Sequence, residues 1–170
     1  MDSLSTVTDL YDPLPPGHVR LLDFTNAQYQ DGDISCSLFS ACLDSAPDYA
    51  ALSYAWKEEG ESDPEGRLIV NGLAVEVQSN LYNAIRSLCN TMRADELMLW
   101  VDFICINQAD LDERGHQVQL MRRIYEQATY VVAWLGLPHR DEQIQKAIEF
   151  MEFFTTVHNN HPGAEPLASF

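Results

Sequence analysis

Basic residues are scarce: Lys+Arg number 10 against Asp+Glu 26 in 170 residues, for a formal net charge of −16. Direct nucleic-acid binding depends on Lys and Arg neutralising phosphates, so this balance speaks against a nucleic-acid partner and against anionic membrane surfaces. Cysteine is sparse as well. Cys36, Cys42, Cys89 and Cys105 form no CxxC pair and have no His at finger spacing, so neither a zinc site nor a disulfide framework is signalled. Reduced thiols in a cytoplasmic protein are the expectation. Long apolar runs are missing too: Leu97 to Ile106, the longest, contains Asp102 and is too short to span a bilayer. Met1 is followed by acidic and polar residues, which is no secretory signal. No G-x-G-x-x-G, G-x-x-x-x-G-K-[ST], G-x-S-x-G or HExxH occurs, which removes the usual support for dinucleotide, nucleoside-triphosphate, hydrolase and zinc-protease readings.

What is present is a core. Hydrophobic residues make up 46% of the chain and aromatics 10%, well above what disorder tolerates, and the length suits one domain. Residues 1–10 read as a flexible N-terminus, 11–156 as a single α/β domain, and 157–170 as a loose polar tail. Val19 to Phe24 and Ile34 to Phe39 predict an antiparallel strand pair, and Tyr49 to Trp56 a third strand. In RLIVNGLAVEV, from Arg67 to Val77, Asn71-Gly72 predicts a hairpin with a type I′ turn, since both residues tolerate positive φ. Ser79 or Asn80 can cap a helix whose apolar positions Leu81, Ala84, Ile85 and Leu88 recur at helical spacing.

Leu97 to Ile106 is almost continuously apolar, the pattern of a strand covered on both faces, and Thr129 to Leu135 reads as another buried strand. Between them Val118, Met121, Tyr125 and Ala128, widened by Leu120 and Ile124, mark a helix packed on the sheet, which completes a βαβ unit. A last helix is expected from about Asp141, with Ile144, Ala147, Ile148, Met151 and Phe154 on one face.

Loops at the carboxyl ends of parallel strands form the natural ligand crevice of an α/β sheet. Here they follow Tyr54, Ile106 and Leu135. Asp102 is the one charge in its apolar stretch and must find partners, either as architecture, with loop amides or Arg114, or as a group that orients a ligand. Glu113 either serves the positive end of a helix dipole or faces a ligand beside Asn107, Gln108, His116 and Gln117. Glu142 and Glu149 are weaker candidates on a surface helix. Cys105 reads as a buried inert thiol rather than a partner of His116, and Trp56 alone of the three tryptophans lies beside a loop, where it can stack on a base.

Several phrases resemble the HET (heterokaryon incompatibility) domain of filamentous fungi. They are Tyr49-Ala-Ala-Leu-Ser-Tyr-Ala-Trp56, Asn80-Leu81 with Ala84 and Leu88, and Leu99-Trp-Val-Asp-Phe-Ile-Cys-Ile-Asn-Gln108. Glu113-Arg114, Gln117-Val118, Met121, Ile124-Tyr125, Ala128 and Trp134-Leu135-Gly136 continue the likeness, which together with Tyr11-Asp-Pro-Leu14 and Val19 to Leu22 covers residues 11 to 136. One departure is Lys57, where the family has Gly after the Ser-Tyr-x-Trp phrase.

HET domains are similar to TIR domains. The resemblance implies a TIR- or flavodoxin-like, mainly parallel sheet flanked by helices, with the strand pair and hairpin added, and a role in programmed cell death after non-self recognition, a form of innate immunity. It further implies cleavage of NAD+ at the nicotinamide–ribose bond after self-assembly, with NAD+ as substrate and neither cofactor nor metal required. On that reading Glu113 is the catalytic carboxylate, with Glu142 and Glu149 as weaker alternatives, and Asp102 orders its loop. Ser53, Tyr54, Trp56, Asn107, Gln108, Arg114 and Gln117 bind substrate. The alternative implied role is a non-catalytic module that self-associates or engages a partner signalling domain.

Overall fold

Val19, Arg20, Leu21 and Leu22 are all buried, which places an interior strand near the start of the chain, and the sheet is assembled around it. The computed structural model describes residues 10–25, 27, 29–30, 33–56, 66–91 and 97–136. The expected helix from Asp141, Lys57, Glu142, Glu149 and the tail lie outside the described residues. The described residues belong to a unit that closes at Gly136.

Strands β1 (His18–Asp23), β2 (Tyr29–Gln30), β3 (Asp33–Cys42), β4 (Ala50–Tyr54), β5 (Gly66–Val70), β6 (Leu73–Val77), β7 (Met98–Trp100) and β8 (Tyr130–Trp134) alternate with helices α1 (Ser79–Thr91), α2 (Asp102–Cys105) and α3 (Leu111–Gln127). The sheet order is β6-β5-β3-β1-β7-β4-β8, with β2 appended to β3. β1 runs antiparallel to β3 and β7, while β7, β4 and β8 are mutually parallel. β3 and β5 are parallel, and β5 and β6 form the hairpin.

The expected antiparallel pair is therefore present as β1 and β3, but the sheet is mixed rather than mainly parallel. The reason lies in β1, which is inserted between the hairpin side and the parallel β7-β4-β8 group and runs against both neighbours. The βαβ unit survives in modified form: α3 carries the chain from β7 over β4 to β8.

At the hairpin, Asn71 has φ 50° and Gly72 φ 81°, the positive values that a type I′ turn requires. The Asn71 side chain also accepts from the Leu38 amide at 2.9 Å and donates to the Leu38 carbonyl at 3.0 Å, which locks the turn to β3. Leu81, Ala84, Ile85 and Leu88 of α1 are all buried, as their spacing predicts. Ser79 opens that helix, and Asn80, its second residue, serves a different purpose described below.

Two expectations about the apolar stretches are corrected. Only Met98–Trp100 of Leu97 to Ile106 is strand; at Asp102 the chain turns into α2, where the Val101 carbonyl accepts from the Ile104 and Cys105 amides at 3.3 and 2.9 Å and the Asp102 carboxylate accepts from the Phe103 amide at 2.7 Å. Of Thr129 to Leu135, Tyr130–Trp134 forms β8 at the sheet edge rather than a buried strand, and Tyr130, Val131 and Leu135 are exposed. Within α3, Ile124 is buried but Val118 is exposed, while the buried Gln117 lies on the inner face that the apolar stripe was expected to fill. Leu120, Met121, Tyr125 and Ala128 are partly buried and pack on the core as expected, and the helix is further anchored by Tyr49, whose hydroxyl donates to the Ile124 carbonyl at 2.6 Å, and by an edge-on contact between Trp100 and Tyr125.

Candidate functional site

β4 and β7 are parallel neighbours, β7 stopping at Trp100 opposite Ala51 while β4 continues to Tyr54, and Trp56 and Asp102, just past their carboxyl ends, meet. Asp102 Oδ2 accepts from the Trp56 indole Nε1 at 3.0 Å, joining the loop after β4 to the start of α2. The Trp56 ring stands edge-on to Phe103, with centroids 5.6 Å apart at 87°. Trp56 is 46% exposed, so the indole is a surface that a ligand can reach. Partial burial raises the Asp102 carboxyl above the ordinary aspartate value, a shift moderated by hydrogen bonds from Trp56 and from the Phe103 amide. Burial also raises the Tyr54 phenol, with the nearby Asp102 charge adding to the effect, so Tyr54 remains a protonated donor at physiological pH.

Asn80 holds this arrangement from below. Its Nδ2 donates to the Ala55 carbonyl at 2.8 Å, and its Oδ1 accepts from Trp134 Nε1 at 2.6 Å. One buried amide from α1 thus fixes the backbone just before Trp56 and the end of β8 together. It is the side chain, not a cap, that gives Asn80 its place in the fold.

Glu113 is differently placed. Both of its oxygens meet the Arg20 guanidinium, at 2.6 and 2.9 Å, and Oε1 also accepts from the Asn107 amide at 2.8 Å. The two side chains are 4% and 9% exposed. Arg20 further donates to the carbonyls of Asp12 and Cys105 and lies 4.9 Å above the Tyr11 ring. This pair joins β1, the segment before it, α2 and α3, and the Glu113 carboxylate is committed to it. Asp110 caps α3 by accepting from the amides of Asp112 and Glu113, which sets the first helical turn and aims Glu113 inward.

Of the remaining expected site residues, Tyr54 and Trp56 gather at Asp102. Ser53 lies next in β4, with its hydroxyl toward Tyr125. Asn107 and Gln108 line a separate open cleft of about 540 Å³ beside the β5–β6 hairpin. Arg114 and His116 are exposed on α3, whereas Gln117 is buried and donates to the His18 carbonyl at 2.9 Å. Cys105 is buried, and burial pushes its thiol up to about 12, which keeps it un-ionised and inert. Arg20 is the residue that sequence reasoning missed. The signal was available, because Arg20 is a charge set between the apolar Val19 and Leu21-Leu22 of β1, as Asp102 is in its own stretch.

A family model described as heterokaryon incompatibility protein (HET) matches residues 49–165. Heterokaryon incompatibility protein 6, OR allele, of Neurospora crassa is 35% identical over 130 residues, 72% of this chain and 19% of that protein. The chain therefore spans about a fifth of the length of this curated relative. No solved structure matches. The family match takes in β4, the Asn80 amide, the turn at Asp102 and all of α3 with its Glu113 anchor, and the chain belongs to the heterokaryon incompatibility (HET) family.

Proposed function

We propose that this chain is the effector domain of a heterokaryon incompatibility response, converting non-self recognition into cell death, and that it acts by cleaving NAD+ at the nicotinamide–ribose bond. The observation that carries the chemical part is the Asp102 carboxylate, partly buried against the reachable Trp56 indole at the carboxyl ends of β4 and β7. The β7-β4-β8 group is the portion of the sheet that a TIR-like arrangement corresponds to on this reading.

Cleavage of NAD+ by water gives nicotinamide, ADP-ribose and a proton. The bond to the positively charged pyridinium breaks with its electron pair going to the ring nitrogen, so the leaving group is neutral and needs no general acid. The ribose carbon acquires oxocarbenium character, which a nearby carboxylate stabilises, most effectively where water is partly excluded. Asp102 supplies that charge and takes the proton of the attacking water, a role suited to a carboxyl raised above its ordinary value. The Trp56 ring stacks on the heteroaromatic group, and Tyr54 donates to a ribose hydroxyl. Glu113 holds Asn107 and α3 in place through Arg20, and its variants act through that scaffold.

The test is NAD+ consumption by the purified chain, concentrated or crowded to favour assembly, against Asp102→Asn. Turnover lost in that variant while the fold is retained supports the reading. Equal, background-level NAD+ loss in both proteins overturns it.

A second reading, a non-catalytic module that self-associates or binds a partner signalling domain, is favoured by the exposed apolar side chains of Tyr130, Val131 and Leu135 along the edge strand β8. Sedimentation velocity distinguishes the two. On this reading Val131→Lys changes the oligomeric state, and Asp102→Asn leaves it unchanged.

A further inference from the structure

The cleft beside the hairpin is separate from the Trp56 face of Asp102, and its walls have a definite chemistry. One wall is aromatic, formed by Tyr11 and Phe103. The Tyr11 ring is held rigidly, with its hydroxyl donating to the Ile104 carbonyl at 3.0 Å and the Arg20 guanidinium over its face. The volume of about 540 Å³ falls within the range of small-molecule sites, roughly 300–1,000 Å³.

At one end of the cleft, two amides stand next to each other with their orientations fixed. Asn107 Oδ1 accepts from the Ala109 amide at 3.1 Å, and Gln108 Nε2 donates to the Asp102 carbonyl at 2.9 Å. These bonds leave the Asn107 NH₂ as a donor and the Gln108 oxygen as an acceptor, with no other partner for either among the described residues. A donor from Asn107 and an acceptor from the next residue, both on the cleft lining, match the pattern of a nucleobase edge that carries a ring nitrogen beside an amino group, the same donor–acceptor pattern that a single Asn or Gln amide offers adenine.

The opposite end sets the charge. Arg67 lines the cleft, but its guanidinium forks onto the Asp33 carboxylate, with Nε 3.0 Å from each carboxylate oxygen. Glu76, directly across the hairpin from Arg67, adds a second carboxylate. Two acids and one base give this end a net negative charge, which repels a phosphate and admits a neutral or cationic ligand.

We infer that this cleft binds an uncharged nucleoside with an amino-bearing base, ring against Tyr11 and Phe103 and base edge on Asn107 and Gln108, and discriminates against the phosphorylated form. Its floor is also the support of Asp102: Phe103 donates its amide to Oδ1, and Gln108 holds the Asp102 carbonyl. An occupant therefore bears on the carboxylate without touching it.

Calorimetric titration of the full chain with adenosine and with AMP tests this, and neither probe carries a nicotinamide bond, so the result is independent of NAD+ cleavage. Saturable one-site adenosine binding, at least about tenfold tighter than AMP, is expected. Ala74→Trp, which fills the cleft from an exposed position on β6, should abolish it. Asn107→Asp, which keeps the oxygen that accepts from Ala109 but turns the free donor into an acceptor, should weaken it about tenfold or more. No saturation at millimolar adenosine, equal affinity for AMP, or full affinity in a folded Ala74→Trp protein each overturns the inference.

Discussion

Replacing Glu113 with Ala isolates the Arg20–Glu113 pair. The guanidinium would keep its bonds to the Asp12 and Cys105 carbonyls and its place over Tyr11, but would lose the counter-charge opposite both terminal nitrogens. Removing one partner of a buried pair costs about 3–5 kcal/mol, chiefly because the other charge stays buried and uncompensated. The Asn107 amide would lose its acceptor as well, which by itself costs about 1–3 kcal/mol where water is excluded. The retained carbonyls offset part of this, so the net expectation is a loss of about 4 kcal/mol. With a urea slope of about 2 kcal/mol/M, the unfolding midpoint falls by about 2 M. Arg20→Met combined with Glu113→Leu removes both charges, and the double variant should recover at least half of the loss. A midpoint within about 0.5 M of the parent for Glu113→Ala, or a double variant no more stable than the single one, would refute the buried-pair account. Both outcomes are read by circular dichroism at several protein concentrations, so that any assembly is visible as concentration dependence.

Other consequences are equally direct. Asp102 is raised in the folded protein, so the folded state holds its proton more tightly than the unfolded chain. Stability from this group is present at low pH and lost as pH rises from the ordinary 3.8 through the raised folded value, and Asp102→Asn should flatten that descent in pH-dependent thermal unfolding. Gly66→Ala would drive a methyl group into the Cβ of Tyr82, a backbone-anchored atom with little room to yield, and should cost about 1–3 kcal/mol by chemical denaturation; Tyr82→Ala, which keeps that Cβ, should not restore the loss. Cys36 and Cys105, both pushed up to about 12 by burial, should resist iodoacetamide at pH 8 in the native protein and react after urea unfolding, as followed by peptide mass spectrometry. Asn80→Ala leaves the Trp134 indole and the Ala55 carbonyl without their shared partner, and should lower stability by about 2 kcal/mol while changing Trp56 fluorescence.

Local chemistry in the sequence was the most legible part. The Asn71-Gly72 turn, the α1 stripe and the β1–β3 pair follow from short-range rules about φ, periodicity and alternation, and each forms as expected. The sheet's mixed character was not legible, because it depends on β1 entering between distant strands, and nothing in six residues of β1 encodes its second neighbour. The apolar run from Leu97 concealed a helix start for a similar reason: its hydrophobicity reports burial, which α2 and β7 share. For the site, the loop after β4 was identifiable from topology, but the second loop was expected past Ile106, whereas β7 stops at Trp100 and Asp102 meets Trp56 just beyond it, with Tyr54 nearby. The fate of Glu113 was hidden because its partner, Arg20, lies 93 positions away along the chain.

The order of strands also sets an order in time. β5 and β6 close over a two-residue turn, and β3 reaches β1 over a short connection, so this side of the sheet carries little loop-closure entropy and can pair early. The other side cannot. β4 acquires its neighbours only after β7 and then β8 have been made, and its ladder with β8 joins Ala50 to Tyr130. Between the two sides the β1–β7 seam holds only the Leu22–Leu99 and Asp23–Met98 positions in register. On a ribosome the hairpin side therefore matures while the backbone around Ala55 still lacks the Trp134 end of its Asn80 bridge. The Asn80–Trp134 contact is thus the last of these to be completed, so the backbone just before Trp56 gains its full support only once β8 has emerged.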